Sequence, residues 1–341
     1  MREAPQAASR LGVQRVVVKD ESSRLGLPSF KMLGASWATY RALVGRLGAE
    51  PSWSDVTELA DACRPLRPLT LTTATDGNHG RALARMAALL GFDARVFVPS
   101  DMAPARREAI AAEGAAVVLV DGTYDDAVAA ATSDGSINGA LIVSDMSWSG
   151  YEQVPSWVID GYATIFDELD EQLAAPPDLV AVPVGVGALA AATVRAYRGP
   201  DRTGVHLVSV EPAAAACLLR SVRAGEPVDV PGPHQSIMAG LNCGRPSLVA
   251  WPETSTGFDA YVAIGDDVTR DAMRLLAADG IVGGESGAAG LAGLLALVSD
   301  GDAPRHRTQL GLHAQATALV LLTEGATDPE GWAQIVGRAP Q

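Results

Sequence analysis

The chain has 341 residues and a formal net charge of −14, with 48% hydrophobic and 19% charged residues. This composition can form a large buried core and excludes a disordered chain, and the length is typical of about two domains. Because phosphate binding requires a basic face, the acidic balance argues against a nucleic-acid partner. Of the 26 lysines and arginines, the only lysines are Lys19 and Lys31, so chemistry that needs a neutral amine has two candidates.

Short runs of apolar, β-branched residues alternate along the chain with alanine- and leucine-rich segments of helical periodicity. Helices are predicted over residues 78–90 and 188–197, because apolar residues recur there at helical spacing. Strands that alternate with helices predict an α/β fold with mostly parallel sheets. The predicted strands cover residues 13–18, 69–73, 94–98, 116–120, 141–144, 179–184, 206–210, 261–264 and 318–322.

The N-terminal segment and the cysteines favour a cytoplasmic protein. Residues 1–12 lack the apolar core of a signal peptide, and the longest apolar stretch, residues 179–194, is shorter than the about 20 residues of a membrane helix. We therefore expect no membrane partner. Cys63, Cys217 and Cys243 show no C-x-x-C spacing, which predicts buried free thiols and no metal site.

The first candidate site is Lys31, which follows Ser29 and Phe30 and precedes a helical pattern. Apolar neighbours and the positive end of a helix dipole both lower the pKa of a lysine, as an imine-forming lysine requires. The ordinary alternative is a solvent-exposed lysine. A chain that uses arginine for nearly all its positive charge favours the chemical role for Lys31, whereas Lys19 lies in a charged cluster and is expected to form ion pairs.

A second candidate is residues 73–80, with the sequence TATDGNHG, which follow a predicted strand and begin a helix. Gly77 allows the backbone to approach a ligand, and Asn78 offers both a donor and an acceptor. Thr75 or Asp76 is also a candidate N-cap of the helix, and the two interpretations are compatible.

Two further candidates follow later strands. In residues 184–189, VGVGAL, glycines at a strand-to-helix turn expose amide groups that can bind a phosphate. The same turn fits a dinucleotide-binding pattern, Gly185-x-Gly187-x-x-Ala190, with Glu211 as the ribose-binding acid. The last candidate is a pair of motifs, GGESG at residues 283–287 and LTEGA at residues 322–326. In the second motif, Thr323 offers a hydroxyl at the end of a predicted strand.

Taken in order, the motifs SFK, GNHG, the glycine-rich turn, GESG and TEG resemble fold-type II pyridoxal-phosphate (PLP) enzymes, the superfamily of tryptophan synthase β and threonine dehydratase. The segments VKDES at 18–22, SDMSWSGY at 144–151, IMAGLNCG at 237–244 and TDP at 327–329 are most similar to diaminopropionate ammonia-lyases. The resemblance implies two three-layer αβα domains with open, mostly parallel twisted sheets. The large PLP domain would comprise residues 1–73 and 161–341, and the small domain residues 74–160.

The resemblance also implies roles for individual residues. Lys31 would hold PLP covalently as an imine, Asn78 would bind the ring hydroxyl, and Thr323 would face the pyridine nitrogen. Asp76 and Asp145 match substrate-side aspartates that are credited with proton abstraction from the two enantiomers of the substrate. The phosphate would be held by the backbone N–H groups of Gly185, Val186, Gly187, Ala188 and Leu189.

The implied activity is the α,β-elimination of D- or L-2,3-diaminopropionate to pyruvate and ammonia, by a cytoplasmic homodimer. Two carboxylates suit the second ammonium group of a diamino acid better than a hydroxy acid. Ser149 stands where the resemblance predicts a glutamate, so a serine/threonine-type dehydratase or a β-replacement enzyme remains an alternative. An NAD(P)-dependent oxidoreductase that uses the Gly185 turn and a catalytically inactive scaffold of the same fold are the alternatives of a different class.

Overall fold

The computed structural model describes residues 1–199 and 204–340. The strands are β1 (Arg2–Glu3), β2 (Arg15–Asp20), β3 (Thr70–Ala74), β4 (Asp93–Pro99), β5 (Ala116–Val120), β6 (Leu141–Ile142), β7 (Leu179–Pro183), β8 (His206–Pro212), β9 (Ala260–Ile264) and β10 (Thr317–Leu322). All nine predicted strands are present, with bounds within two residues of the prediction. The two-residue strand β1 was not predicted, because so short a segment carries no periodic pattern.

Helices connect these strands. They are α1 (Pro5–Leu11), α2 (Lys31–Leu47), α3 (Val56–Ala62), α4 (Asn78–Leu90), α5 (Pro104–Ala111), α6 (Tyr124–Asn138), α7 (Gln153–Gln172), α8 (Ala188–Tyr197), α9 (Cys217–Ala224), α10 (Trp251–Thr254), α11 (Asp266–Ala278), α12 (Ala289–Ser299), α13 (Ala303–Gln309) and α14 (Pro329–Val336). The helices predicted over 78–90 and 188–197 have the expected bounds. Among the described residues, no helix combines the length and the apolar character needed to cross a membrane.

The chain divides into two compact units, one of Met1–Phe30 and Tyr162–Gln341 and the other of Lys31–Gly161. The first unit contains a six-stranded sheet in the order β1-β2-β10-β7-β8-β9. All its pairs are parallel except β1 with β2. Every residue of β7 is buried, as expected for a central strand that is covered on both faces.

The second unit contains a four-stranded parallel sheet in the order β5-β4-β3-β6. Both sheets confirm the predicted α/β fold with mostly parallel strands. The boundaries of the units differ from the predicted domain division, which places residues 31–73 in the large domain. These residues lie in the second unit because β3 pairs with β4 and β6, and α2 packs against α4.

Helices α2 and α7 approach each other closely in the second unit, at Gly161. A Cβ atom at Gly161 would lie 2.6 Å from the carbonyl oxygen of Leu33 and 2.9 Å from the Cα atom of Gly34. Leu33 and Gly34 belong to the first turn of α2, which begins at Lys31. The glycine therefore allows α7 to pack directly on the backbone that carries Lys31.

We expect Gly161→Ala to lower the free energy of unfolding by about 2 kcal/mol, because overpacking against the α2 backbone exceeds the gain in helix propensity. Gly45→Ala is the control, since Gly45 is also a helical glycine, in α2, and its added Cβ would meet no atom of another element within 4 Å. That variant should be more stable by about 0.5–1 kcal/mol. Urea unfolding of both variants provides the test, and stabilisation by both would contradict the close approach.

Candidate functional site

In the second unit, candidate residues follow two neighbouring strands. Strand β3 leads directly to the segment of Asp76 and Asn78, and β6 leads to Asp145. The two strands pair in parallel, and β6 joins β3 on the side opposite β4. In open α/β sheets, ligands bind beyond the carboxyl ends of the strands where the strand order reverses in this way. The two aspartates therefore lie where the fold favours a binding site.

The centre of this site is an ion pair between Lys31 and Asp145. The Nζ atom of Lys31 lies 2.6 Å from Oδ2 of Asp145, and the two side chains are 18% and 6% exposed. Burial alone would raise the pKa of Asp145, but the Lys31 ammonium holds it well below its usual range. Lys31 is thus the first residue of a helix, as expected, and its partner is a carboxylate that the sequence places 114 residues away.

The segment that carries Asp145 is fixed by aromatic side chains. The Nε2–H group of His79 donates to the carbonyl oxygen of Val143 at 2.8 Å, and burial lowers the pKa of His79, so its imidazole is neutral. The Tyr151 hydroxyl accepts from the Ser144 amide at 3.0 Å and donates to the carbonyl oxygen of Ile142 at 2.9 Å. These bonds hold the backbone on both sides of Asp145.

Asp76 is not the N-cap of helix α4. The N-cap is Gly77, so neither of the two predicted candidates, Thr75 and Asp76, has that position. The Thr75 hydroxyl still fixes the start of the helix, because it accepts from the amides of Gly77 at 2.9 Å and Gly80 at 3.1 Å.

The electrostatic environment of Asp76 is opposite to that of Asp145. Burial raises the pKa of Asp76 to about 8; the charge of Arg106 opposes this shift, whereas the negative charge of Asp145 adds to it. At neutral pH the chain thus presents one ionised carboxylate, Asp145, and one protonated carboxyl, Asp76. Groups that titrate far from their ordinary range are concentrated at functional sites. Asn78, the first residue of α4, is half-buried and lies two residues after Asp76.

In the first unit, the turn from β7 into α8 has the geometry of an anion site. Gly187 has a φ of +101°, which favours glycine, and a Cβ at Gly185 would lie 3.1 Å from the carbonyl oxygen of Gly240 and 3.2 Å from Sγ of Cys243. The Val186 carbonyl accepts from the Ser247 amide at 2.8 Å, which fixes the turn. The N-terminal amides of the ten-residue helix α8 lie on this turn, where a phosphate is bound favourably.

Thr323 follows β10, which pairs in parallel with β7, so its buried hydroxyl lies at the same sheet edge as the glycine turn. Its carbonyl oxygen accepts from the amide of Phe30 at 3.1 Å. The next residue, Glu324, accepts from the amide of Ser286 at 2.9 Å, so the motifs GGESG and LTEGA contact each other. These contacts anchor Phe30, the last residue of the N-terminal segment of the first unit.

Lys19 lies in a separate cluster of buried charges. It forms ion pairs with Glu168 and, at 3.8 Å, with Glu21, and it donates to Gln172 at 3.1 Å. Arg24 donates to both glutamates at 2.6–2.8 Å. The prediction that Lys19 forms ion pairs is confirmed, which leaves Lys31 as the candidate for amine chemistry.

Glu211 does not have the position of a ribose-binding acid. Its buried carboxylate accepts from the amides of Leu218 at 2.7 Å and Leu219 at 2.8 Å, at the start of α9. Burial raises the pKa of Glu211 to about 7 despite these bonds. The interpretation of the Gly185 turn as a dinucleotide site is therefore wrong, because the Glu211 carboxylate that would bind the ribose already caps helix α9. The cysteines are buried and free, as predicted.

These groups fit PLP in their chemistry. The glycine turn supplies amides for a phosphate, Lys31 a primary amine for an aldehyde, Asn78 an amide for a ring hydroxyl, and Thr323 a neutral hydroxyl for a pyridine nitrogen. Among the described residues, no group of three or more His, Cys, Asp or Glu side chains is arranged for a metal ion. The hydroxyl of Tyr124 lies 3.4 Å from Oδ1 of Asp145, and no sequence motif surrounds Tyr124 that would mark it as a site residue.

Comparisons with known proteins agree with this chemistry. A family model described as pyridoxal-phosphate dependent enzyme matches residues 1–313. The diaminopropionate ammonia-lyase of Escherichia coli K12 is 35% identical over 96% of this chain and 84% of that protein, and that of Salmonella typhimurium is 34% identical over 96% and 85%. A crystal structure of the E. coli enzyme with D-serine has a TM-score of 0.91 at 34% identity, over 98% of this chain and 86% of that chain.

We expect neutralisation of the two aspartates to change stability in opposite directions. Folding raises the pKa of Asp76 to about 8, so the folded chain loses stability as the pH rises from about 4 to 8. Asp76→Asn removes this loss and should raise the Tm of the cofactor-free protein, more at pH 8 than at pH 5. Asp145→Asn leaves the Lys31 ammonium without its carboxylate and should cost about 3 kcal/mol.

Calorimetry of both variants at pH 5 and pH 8 tests these signs, with each variant compared to the parent chain at the same pH. Equal effects of the two substitutions, or a gain for Asp76→Asn that shrinks towards pH 8, would contradict the opposite protonation states.

Proposed function

This chain belongs to the pyridoxal-phosphate dependent enzymes of fold type II, and on that premise we propose that it eliminates both amino groups of 2,3-diaminopropionate. The reaction consumes one water and yields pyruvate and two molecules of ammonia. The observation that carries the proposal is the position of Lys31, 2.6 Å from the ionised Asp145, while a second carboxyl, Asp76, follows the neighbouring strand. The reaction class is that of a carbon–nitrogen lyase acting on an amino acid.

The residues that hold the cofactor are those singled out from the sequence. Lys31 attaches it covalently, Asn78 binds its ring hydroxyl, and Thr323 faces its pyridine nitrogen. Backbone amides hold the phosphate, and they belong to Gly185, Val186, Gly187, Ala188 and Leu189. When bound, PLP supplies an electron sink for the carbon that loses its proton. A neutral hydroxyl at Thr323 is compatible with a pyridine ring that stays unprotonated.

Asp145 and Lys31 move the α-proton. A carboxylate whose pKa lies far below neutral stays ionised throughout the working range, so Asp145 can hold an ammonium group in place. Its short contact orients the Lys31 amine, which serves as a base once it is released from the cofactor. When the Lys31 ammonium no longer lies beside it, the pKa of Asp145 rises, and Asp145 serves as the second proton acceptor. The pair thus provides for substrates of either configuration.

Asp76 recognises the second amino group. A cationic ammonium group that comes to lie beside it stabilises the ionised form of this carboxyl. The resulting ion pair keeps the β-nitrogen protonated, which is the state in which it leaves as neutral ammonia. A hydroxyl group carries no such charge and leaves Asp76 neutral. A side chain that can carry a negative charge at position 76 therefore suits a diamino acid better than serine or threonine.

Ser149 does not favour the dehydratase alternative. It is exposed in the turn between Trp148 and Tyr151, whose rings stack 4.2 Å apart. A carboxylate at this position would face solvent and would be screened from the buried Lys31–Asp145 pair. The absence of glutamate here thus removes no charge from the buried pair.

A homodimer in the cytoplasm is the state that the sequence resemblance implies, and we propose it for this chain. Light scattering should give twice the 35.2 kDa mass of one chain, and the mass of a single chain would contradict the dimer.

Lys31→Ala should abolish both the visible absorbance of the bound cofactor and the release of pyruvate, because no other amine at the site can bind the aldehyde. The control is Lys19→Arg, which changes the other lysine of the chain and keeps its charge. Borohydride reduction followed by peptide mapping should place the cofactor on residue 31 in the parent chain and in the control. Covalent cofactor in Lys31→Ala would overturn the assignment.

Asp76→Asn should lower kcat/KM for 2,3-diaminopropionate by about 100-fold, because the amide cannot carry the charge that pairs with the β-ammonium. With serine, which lacks that ammonium, the same substitution should change kcat/KM by less than about threefold. Pyruvate release from D- and L-2,3-diaminopropionate, serine and threonine measures both effects. Equal losses for the diamino and hydroxy substrates would contradict the role of Asp76, and faster turnover of serine by the parent chain would favour a dehydratase.

A further inference from the structure

The two oxygens of the Asp145 carboxylate face different donors. Oδ2 lies 2.6 Å from the Lys31 amine, and Oδ1 lies 3.4 Å from the hydroxyl of Tyr124. The first distance is that of a short, charge-assisted hydrogen bond, and the second is at the long end of hydrogen bonding. In the cofactor-free chain, Lys31 is therefore the dominant partner of this carboxylate, and Tyr124 is the weaker one.

Tyr124 is held in this place by its own helix. It is the first residue of α6, and its ring is buried, with 7% of the residue exposed. The preceding residue, Thr123, forms a reciprocal capping box with Asp126, in which each side chain accepts from the backbone amide of the other residue. Such a box fixes the first turn of a helix. The phenol is thus directed at Asp145 by a rigid element.

We infer that Tyr124 is a positioning residue, which holds the Asp145 carboxylate when the Lys31 amine leaves it to engage the cofactor. This inference rests on the proposed function only where it concerns the cofactor and substrate. A buried carboxylate that loses its ammonium partner needs another donor, because an unpaired buried charge is unfavourable. The hydroxyl at Oδ1 meets this need without carrying a charge, and shortening of the bond keeps Asp145 in its orientation.

Lys31 and Tyr124 thus stabilise the Asp145 carboxylate at different stages. Lys31 binds Oδ2 while its amine is free, and Tyr124 binds Oδ1 more tightly while that amine is engaged. Tyr124 then influences turnover through Asp145 and makes no contact with the substrate of its own. Its removal should therefore affect the same enantiomer as the removal of Asp145.

The first experiment uses Tyr124→Phe, which keeps the ring and removes the hydroxyl. We expect kcat to fall about tenfold for the enantiomer of 2,3-diaminopropionate that is more sensitive to Asp145→Asn, with KM nearly unchanged. The other enantiomer should lose less than about twofold. Tyr40→Phe is the matched control, because Tyr40 is also buried in the second unit and its hydroxyl lies 2.7 Å from a carboxylate oxygen, that of Glu50.

The second experiment needs no turnover, since the chain has only two lysines. The cofactor-free protein is labelled with a trace amount of acetic anhydride, and the ratio of label on Lys31 to label on Lys19 is read by mass spectrometry. Without the Tyr124 hydroxyl, the Asp145 carboxylate binds the Lys31 ammonium more strongly and holds the amine more firmly in its unreactive form. We expect the ratio to fall about threefold in Tyr124→Phe and to stay constant in Tyr40→Phe.

The outcomes separate the two proposals. An unchanged labelling ratio in Tyr124→Phe, or equal losses of kcat for both enantiomers, would overturn the role of Tyr124. If the parent chain releases no pyruvate from either enantiomer, the proposed function fails, while the labelling ratio still decides whether Tyr124 acts on the Lys31–Asp145 pair. A lowered ratio together with a loss confined to one enantiomer supports the inference.

Discussion

Parallel pairing between strands far apart in the sequence determines where the candidate residues of this chain lie. Since all strands of a parallel sheet end at the same edge, segments that follow neighbouring strands become neighbours. Strands β3 and β6 in this way bring Asp76 and Asp145 to one edge, and β7 and β10 do the same for the Gly185 turn and Thr323. Helices between the strands make this pairing possible, because a parallel connection must cross the sheet.

Two carboxyl groups of the same kind acquire opposite properties at one edge of the second sheet. Asp145 is buried against an ammonium group and stays ionised, whereas the half-buried Asp76 has a raised pKa and retains its proton at neutral pH. The difference arises from the neighbours, since burial acts in the same direction on both groups. Such a pair presents one carboxylate that can bind a cationic group and one carboxyl that holds a proton at neutral pH. The protonation state of each aspartate is therefore set by the charges placed around it, since both residues are of the same type.

Close backbone approaches give the functional segments their rigidity. At Gly161 the helix α7 packs on the turn that begins with Lys31, and at Gly185 the turn after β7 packs on Gly240 and Cys243. Side chains add fixed points, such as the Thr75 hydroxyl at the start of α4 and the Glu324 carboxylate on the amide of Ser286. Groups held in this way lose little conformational freedom when a ligand binds. The lysine and the glycine turn are thus prepared by packing before any cofactor arrives.

The sequence by itself determined the α/β fold, nine of the strands, the first residue of α4 and α8, and the choice of Lys31, because periodicity, glycine and a rare lysine are local signals. Asp76 and Asp145 were recognisable as candidates through resemblance to a family. Only the tertiary structure decided which groups meet: Asp145 with Lys31 and Tyr124, and Glu211 with the start of α9. It also decided that residues 31–73 belong with the second sheet. Protonation depends on burial and on charges brought from distant positions, and no local pattern encodes these.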